Sequence, residues 1–101
     1  MSPTARTLKM MRAQGWMCDV VEKWNPYAKV RIDLFGVIDI VAICGSVTVG
    51  IQATSGSNHS ARRRKIEAET KAKRWQEAGN ELWIVSWSKK KNRWQPRVTI
   101  L

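Results

Sequence analysis

Two polar residues stand where the sequence is otherwise apolar. Asp39 interrupts the run Gly36-Val37-Ile38-Asp39-Ile40-Val41-Ala42-Ile43, and Gln52 interrupts Val47-Thr48-Val49-Gly50-Ile51-Gln52-Ala53-Thr54. An uncompensated buried carboxylate is costly. A carboxylate and an amide carbonyl on neighbouring strands are both compensated if they share a cation. All the donors are oxygens, and Mg²⁺ prefers oxygen, keeps several waters and often takes only one or two carboxylates. Asp39, the Gln52 carbonyl oxygen and the Ala53 backbone carbonyl supply three such ligands. Glu22 and Asp33 are the other carboxylates able to complete the site or orient an attacking water. The chemistry implied is phosphodiester hydrolysis, which needs a water activated near neutral pH and a cation beside the developing negative charge. Each residue also has a plainer reading. Asp39 can pair with an arginine such as Arg31, Gln52 can bond to backbone, and Glu22 and Asp33 can lie on a solvated face or in a salt bridge.

The charge balance names a partner. Lys and Arg number 18 against 8 Asp and Glu, a formal net charge of +10 in 101 residues. Such an excess points to a polyanion, with nucleic acid the first candidate. The segment Ser55-Gly56-Ser57-Asn58-His59-Ser60 is small and polar and precedes a helix start, where backbone N–H groups can meet a phosphate. Arg62, Arg63, Arg64 and Lys65 follow in the first turns. Cations there oppose the helix dipole, which suggests that they answer an anion. Ser57, Asn58, His59, Arg62, Arg63, Arg64 and Lys65 are therefore the candidate nucleic-acid contacts. His59 is a candidate phosphate contact or proton carrier.

The elements that must position these residues follow from pattern and punctuation. Residues 1–15 read as a helix, capped by Ser2 or Thr4 and ended by Gly15. Residues 16–24 read as a strand, and Asn25-Pro26-Tyr27-Ala28 as a loop. A hairpin follows, with strands near 37–43 and 47–54 and Gly45-Ser46 at its turn. A single helix is predicted from Ser57 or Asn58 to about Ala78, stopped by Gly79-Asn80, with Ala61, Ala68, Ala72 and Trp75 on one side. Residues 81–88 read as a strand, 89–93 as a basic turn, and 94–101 as a last strand at an edge because of Pro96. Cys18 and Cys44 lack metal-site spacing and read as reduced core residues of an intracellular protein. Trp16, Trp75 and Trp83 read as core; Trp24, Trp87 and Trp94 flank turns and can stack on bases or form a dimer surface, with core packing the plainer reading of each. No run approaches the roughly 20 apolar residues of a membrane span, and no signal peptide is evident.

The order α-β-β-β-α-β-β, with an acidic residue in the middle strand and a polar residue on the next, resembles the PD-(D/E)XK, or restriction-endonuclease-like, nuclease superfamily. The likeness spans nearly the whole chain and is closest to small Holliday-junction-resolvase-like and phage-type nucleases. Gly36-Val37-Ile38-Asp39-Ile40-Val41-Ala42-Ile43 matches that family's first motif, with Ile38 in place of a proline. Ile51-Gln52-Ala53-Thr54 falls on the second motif, with Gln52 where the family has a carboxylate and Thr54 where it has a lysine. The resemblance implies an α/β fold with a mixed central sheet flanked by helices, forming a single domain over 1–101. It implies Mg²⁺ or Mn²⁺ held by Asp39, Gln52 and Ala53, and catalysis at Asp39, Gln52, Thr54, Glu22 and Asp33. A basic residue among Arg62, Arg63, Arg64 and Lys65 would replace the missing lysine. The expected activity is a metal-dependent DNA endonuclease acting on branched DNA as a homodimer, in the cytoplasm of a bacterium or a phage-infected cell. The alternatives are a catalytically degenerate nuclease fold that binds DNA, and a small interaction protein with a tryptophan surface.

Overall fold

A hairpin of β-branched residues forms the centre of the computed structural model, which describes residues 1–101. Its strands, β4 (Ile40–Cys44) and β5 (Val47–Ser55), pair antiparallel from Cys44↔Val47 to Ile40↔Ile51. Gly45 closes the two-residue turn at φ +59°, a conformation that glycine adopts without strain. Around this hairpin lie β1 (Met17–Val20), β6 (Glu81–Lys90) and β7 (Arg93–Ile100). The five strands form one mixed sheet in the order β1-β4-β5-β6-β7. Only β5 and β6 run parallel. That step requires a crossover, supplied by α2 (His59–Glu67) and α3 (Thr70–Glu77). A further helix, α1 (Pro3–Ala13), packs on the other face. The molecule is thus the expected α/β domain, a mixed sheet between helices.

Alternation sorts the core into two layers. Val85 of β6 joins Met11, Cys18, Ile40, Ala42, Val49 and Ile51 on the α1 side. Its neighbours Leu82 and Ile84 join Val37, Ile38, Ile66 and Ala72 on the α2–α3 side. Gly50 lets the α2–α3 layer close on the sheet, since a Cβ there would lie 2.6 Å from the Ile38 side chain and 3.1 Å from Trp75 Nε1.

Several elements differ from the sequence expectation. The strand expected over 16–24 divides into β1 and β2 (Lys23–Asn25), and β2 pairs with β3 (Val30–Ile32) as a separate two-stranded hairpin. The helix expected to reach Ala78 is broken at Ala68-Glu69, where Glu69 turns extended and its carboxylate accepts from the Lys71 N–H. Ile66 and Trp75 are nine residues apart, roughly two and a half turns, so a straight helix would put them on opposite faces. The break lets both meet the sheet, while Ala61 and Ala68 stay exposed. Ser2 caps α1 by accepting from the Ala5 N–H, but Asn58 makes no cap bond, because Gly56–Asn58 forms a 3-10 turn.

Strand β6 runs on to Lys90, leaving Lys91-Asn92 as a two-residue turn with both φ positive. The expected edge position of β7 holds. Cys44 is exposed rather than core, whereas Cys18 is buried, and both are free. Trp87 is buried against α1, donating its indole N–H to Thr7 Oγ1 at 2.9 Å, so it presents no stacking surface. Trp24 and Trp94 are exposed. No helix is long and apolar enough to cross a membrane.

Candidate active site

Asp39 lies one residue before β4, held by backbone bonds on both sides. Its N–H donates to Ile51 O at 3.0 Å and its carbonyl accepts from the Val21 N–H at 2.9 Å. The pairing of β4 with β5 ends at Ile40↔Ile51, which leaves the Ala53 N–H free for a side chain. The Asp39 carboxylate takes that place, 3.2 Å from Ala53 N through either oxygen, and accepts from Gln52 Nε2 at 3.1 Å. The hairpin register therefore brings the two motif residues together, as the sequence implies.

The other two carboxylates arrive through β2 and β3. Lys23 pairs with Ile32 at the base of that small hairpin. Glu22 immediately precedes it and Asp33 immediately follows it, so closing the hairpin brings them side by side. Ligand atoms of Glu22, Asp33 and Asp39 lie within 4.8 Å of one another. Burial pushes the Asp39 carboxyl up to about 7, opposed by the Ala53 N–H and assisted by the negative charges of Asp33 and Glu22, with the Gln52 amide pulling slightly back. Asp39 is only 4% exposed. Arg31 reaches Glu22 Oε1 at 3.6 Å, so the arginine considered as a partner for Asp39 serves Glu22 instead.

Gln52 is almost fully buried, and its Oε1 has no hydrogen-bond partner. Such an orphaned acceptor costs about 1–3 kcal/mol. Rotating the amide would turn its oxygen toward the Asp39 carboxylate and leave the nitrogen orphaned, which relieves nothing. The Ala53 N–H faces Asp39, and in an extended strand a residue's carbonyl lies on the same edge as its N–H. Three carboxylates and a backbone carbonyl on that edge form an oxygen-only donor set, which the Gln52 oxygen can join only by rotation of an amide that now turns its nitrogen toward Asp39. The set fits a hard divalent cation such as Mg²⁺ or Mn²⁺.

These groups line an open polar cleft of about 510 Å³. Its other wall carries Arg62 and Lys65, three residues apart on one face of α2, together with Thr4 of α1. The basic run thus divides by helical phase. Arg62 and Lys65 face the carboxylates, Arg63 is tied to Glu67 at 2.7 Å, and Arg64 is exposed away from the cleft. Ser57 and Asn58 are exposed, in a loop tied to itself by Asn58 Nδ2–Ser55 Oγ and Ser55–Ser57 hydroxyl contacts of 3.1 and 3.2 Å, and do not line the cleft.

Two candidates are corrected by burial. Thr54 is buried and does not line the cleft, so nothing there stands in for a catalytic lysine. His59 is 1% exposed, its ring nitrogens 2.6 Å from Ser86 Oγ and 2.8 Å from Thr99 Oγ1. It anchors α2 to the sheet and cannot meet a phosphate. Burial, then the charges of Arg97 and Arg63, lowers its pKa. Thr4, Gly36 and Ile32 line the cleft without having been expected to. Gly36 opens the run that holds Asp39, the only sequence signal for Ile32 was proximity to Asp33, and Thr4 gave none beyond its role as a candidate cap. The chain matches no protein-family model, no curated protein and no solved structure in comparisons with known proteins.

Proposed function

We propose that the chain is a divalent-metal-dependent DNA endonuclease of the restriction-endonuclease-like class. The observation that carries this reading is the cluster of Glu22, Asp33 and the almost fully buried Asp39 in a cleft that Gln52 and two cations also line. Asp39, the Ala53 carbonyl and Gln52, once its amide rotates to present Oε1, would hold Mg²⁺ or Mn²⁺, with Glu22 and Asp33 completing the oxygen set. When bound, the ion supplies Lewis acidity and lowers the pKa of water. The chain's own cations do the rest. The Arg62 guanidinium offers a planar fork to two phosphate oxygens, and Lys65 adds a second positive charge on the same wall. Together they take the part of the lysine absent at Thr54. Selection by DNA shape, as for a resolvase acting as a homodimer on branched DNA, is part of the same reading. A bacterial or phage-infected cytoplasm is the corresponding setting.

The test is cleavage of labelled single-strand, duplex, flap and four-way-junction DNA with Mg²⁺ or Mn²⁺, beside Asp39→Ala. Metal-dependent cutting that disappears in the variant is expected. Binding without cutting in either metal would sink the enzyme reading. The buried Thr54 favours that second reading, a DNA-binding module that has lost catalysis.

A further inference from the structure

A second cavity, of about 490 Å³, lies between the turn after Asp33 and helix α3. Phe35, Lys71, Arg74, Trp75, Ala78 and Asn80 line it. Four of these fall at 71, 74, 75 and 78, the spacing of one helical stripe. The stripe presents two cations and an indole to a phenyl ring. The Phe35 and Trp75 ring centroids are 6.1 Å apart with their planes at 51°, a wedge rather than a closed stack.

Phe35 is held there against its own preference. The Gly36 N–H donates to Asp33 O at 3.0 Å, closing a four-residue turn with Phe35 in third position at φ +54°. Glycine or asparagine normally supplies that conformation, and a bulky residue there is an outlier. Phe35 gains little burial in return, since it is 45% exposed. The Trp75 N–H is already spent on Glu81 O at 2.9 Å, so the ring has only its apolar surface to offer. The same turn borders both cavities, because Asp33 and Gly36 line the carboxylate cleft while Phe35 lines this one.

Two aromatic rings, a lysine, an arginine and an amide suit one ligand chemistry, a planar base carrying a phosphate. We propose that this cavity is a subsite for one unpaired nucleotide. Its base lies against Phe35 and Trp75, its phosphate meets Lys71 and Arg74, and it belongs to the strand held in the carboxylate cleft. The last element rests on the nuclease reading; the nucleotide subsite does not. A base can enter the wedge only when unstacked from its neighbours and unpaired. The substrate is therefore a strand that is single near the cut, such as a flap or a branch point.

The experiment measures binding by fluorescence anisotropy, with EDTA present so that nothing is cut. The probes are a labelled oligothymidylate and a blunt duplex of equal length, against the wild type, Phe35→Ala and Lys71→Glu/Arg74→Glu. All the changed side chains are exposed, and circular dichroism melts verify folding. Phe35→Ala removes no charge and is expected to weaken oligothymidylate binding about 10-fold, the scale of losing one stacking ring, while duplex binding stays within about 2-fold. The charge-reversed variant is expected to weaken oligothymidylate more than duplex. Equal losses on both probes, or none with Phe35→Ala, would overturn the subsite. Thymidine monophosphate competing as well as the oligothymidylate would assign the cavity to free nucleotides and overturn its link to a strand. Sensitivity to Phe35→Ala without metal-dependent cleavage of any DNA would support the subsite while removing the nuclease reading.

Discussion

At the scale of residues, the burial of Asp39 is a stability question that the proposed metal would answer. Its carboxyl is pushed from 3.8 to about 7, with burial the first cause. The folded chain therefore holds this proton more tightly than the unfolded chain. The stability it contributes is present below pH 3.8 and is lost as pH rises through about 7. The difference corresponds to about 4 kcal/mol at pH 8 in the metal-free protein. Asp39→Asn removes the charge and keeps an oxygen for the Ala53 N–H, and the Gln52 amide can turn to face the new donor. Denaturant unfolding with EDTA should show the variant more stable at pH 8 by a few kcal/mol, with the gap closing toward pH 4. Added Mg²⁺ should stabilise the wild type alone. A variant less stable at pH 8 would show that Asp39 is compensated as an anion without metal. His59 runs the other way. Its lowered pKa means that stability is present above its unfolded value of 6.5 and is lost as pH falls below it. His59→Ala should cost about 2–3 kcal/mol at pH 8 by leaving a cavity and two unpaired hydroxyls. The gap should narrow in acid, and the folded variant should bind DNA as the wild type does.

At the scale of elements, the small hairpin β2–β3 matters for what stands at its base. Glu22 and Asp33 are eleven positions apart in sequence and meet because Lys23 pairs with Ile32. Asn25 Oδ1 fixes the turn by accepting from the N–H groups of Tyr27 and Ala28, at 2.9 and 3.1 Å. Deleting Ala28 should force a new register and turn one carboxylate aside. Calorimetric Mg²⁺ affinity should fall about 10-fold or more, the scale of losing one ligand's support. The melting temperature should barely move, because the hairpin lies outside the five-stranded sheet. This element also marks the limit of what the sequence makes legible. Asp39 and Gln52 stand out because long apolar runs make a polar residue conspicuous. The hairpin's three-residue strands carry no period to read, so β2 was merged into the longer strand before it and β3 was not seen at all. The break at Glu69 was hidden because Ala, Glu, Thr and Lys all continue a helix acceptably. It was decided by Ile66 and Trp75 needing the same sheet. His59 was misjudged because a polar residue beside a basic run reads as surface, and only its contacts with β6 and β7 bury it. Thr54 was a candidate only through the motif it falls on, and its place inside β5 buries it.

At the scale of the whole molecule, the net charge of +10 would favour any polyanion, and under the proposed reading the cleft decides which cations matter. Arg62 and Lys65 face the carboxylates, Arg63 is neutralised by Glu67, and Arg64 points away from the cleft. Counterion release makes affinity fall with salt by a slope of about 0.9 per duplex phosphate contacted. If both wall cations meet phosphates, replacing Arg62 and Lys65 by alanine should lower the slope of log K against log salt by about 2. The matched change at Arg63 and Arg64 removes the same formal charge from the same helix and should lower it by much less. Charge counting alone forbids this difference, since the two double variants have identical net charge. Anisotropy titrations of duplex DNA across a salt series separate the cases. Equal slopes for the two variants would mean that DNA sees only a diffuse basic surface, and the cleft would lose its claim to hold the phosphate. Unequal slopes would tie the phosphate to the cleft that holds Asp39, where the proposed hydrolysis would require it.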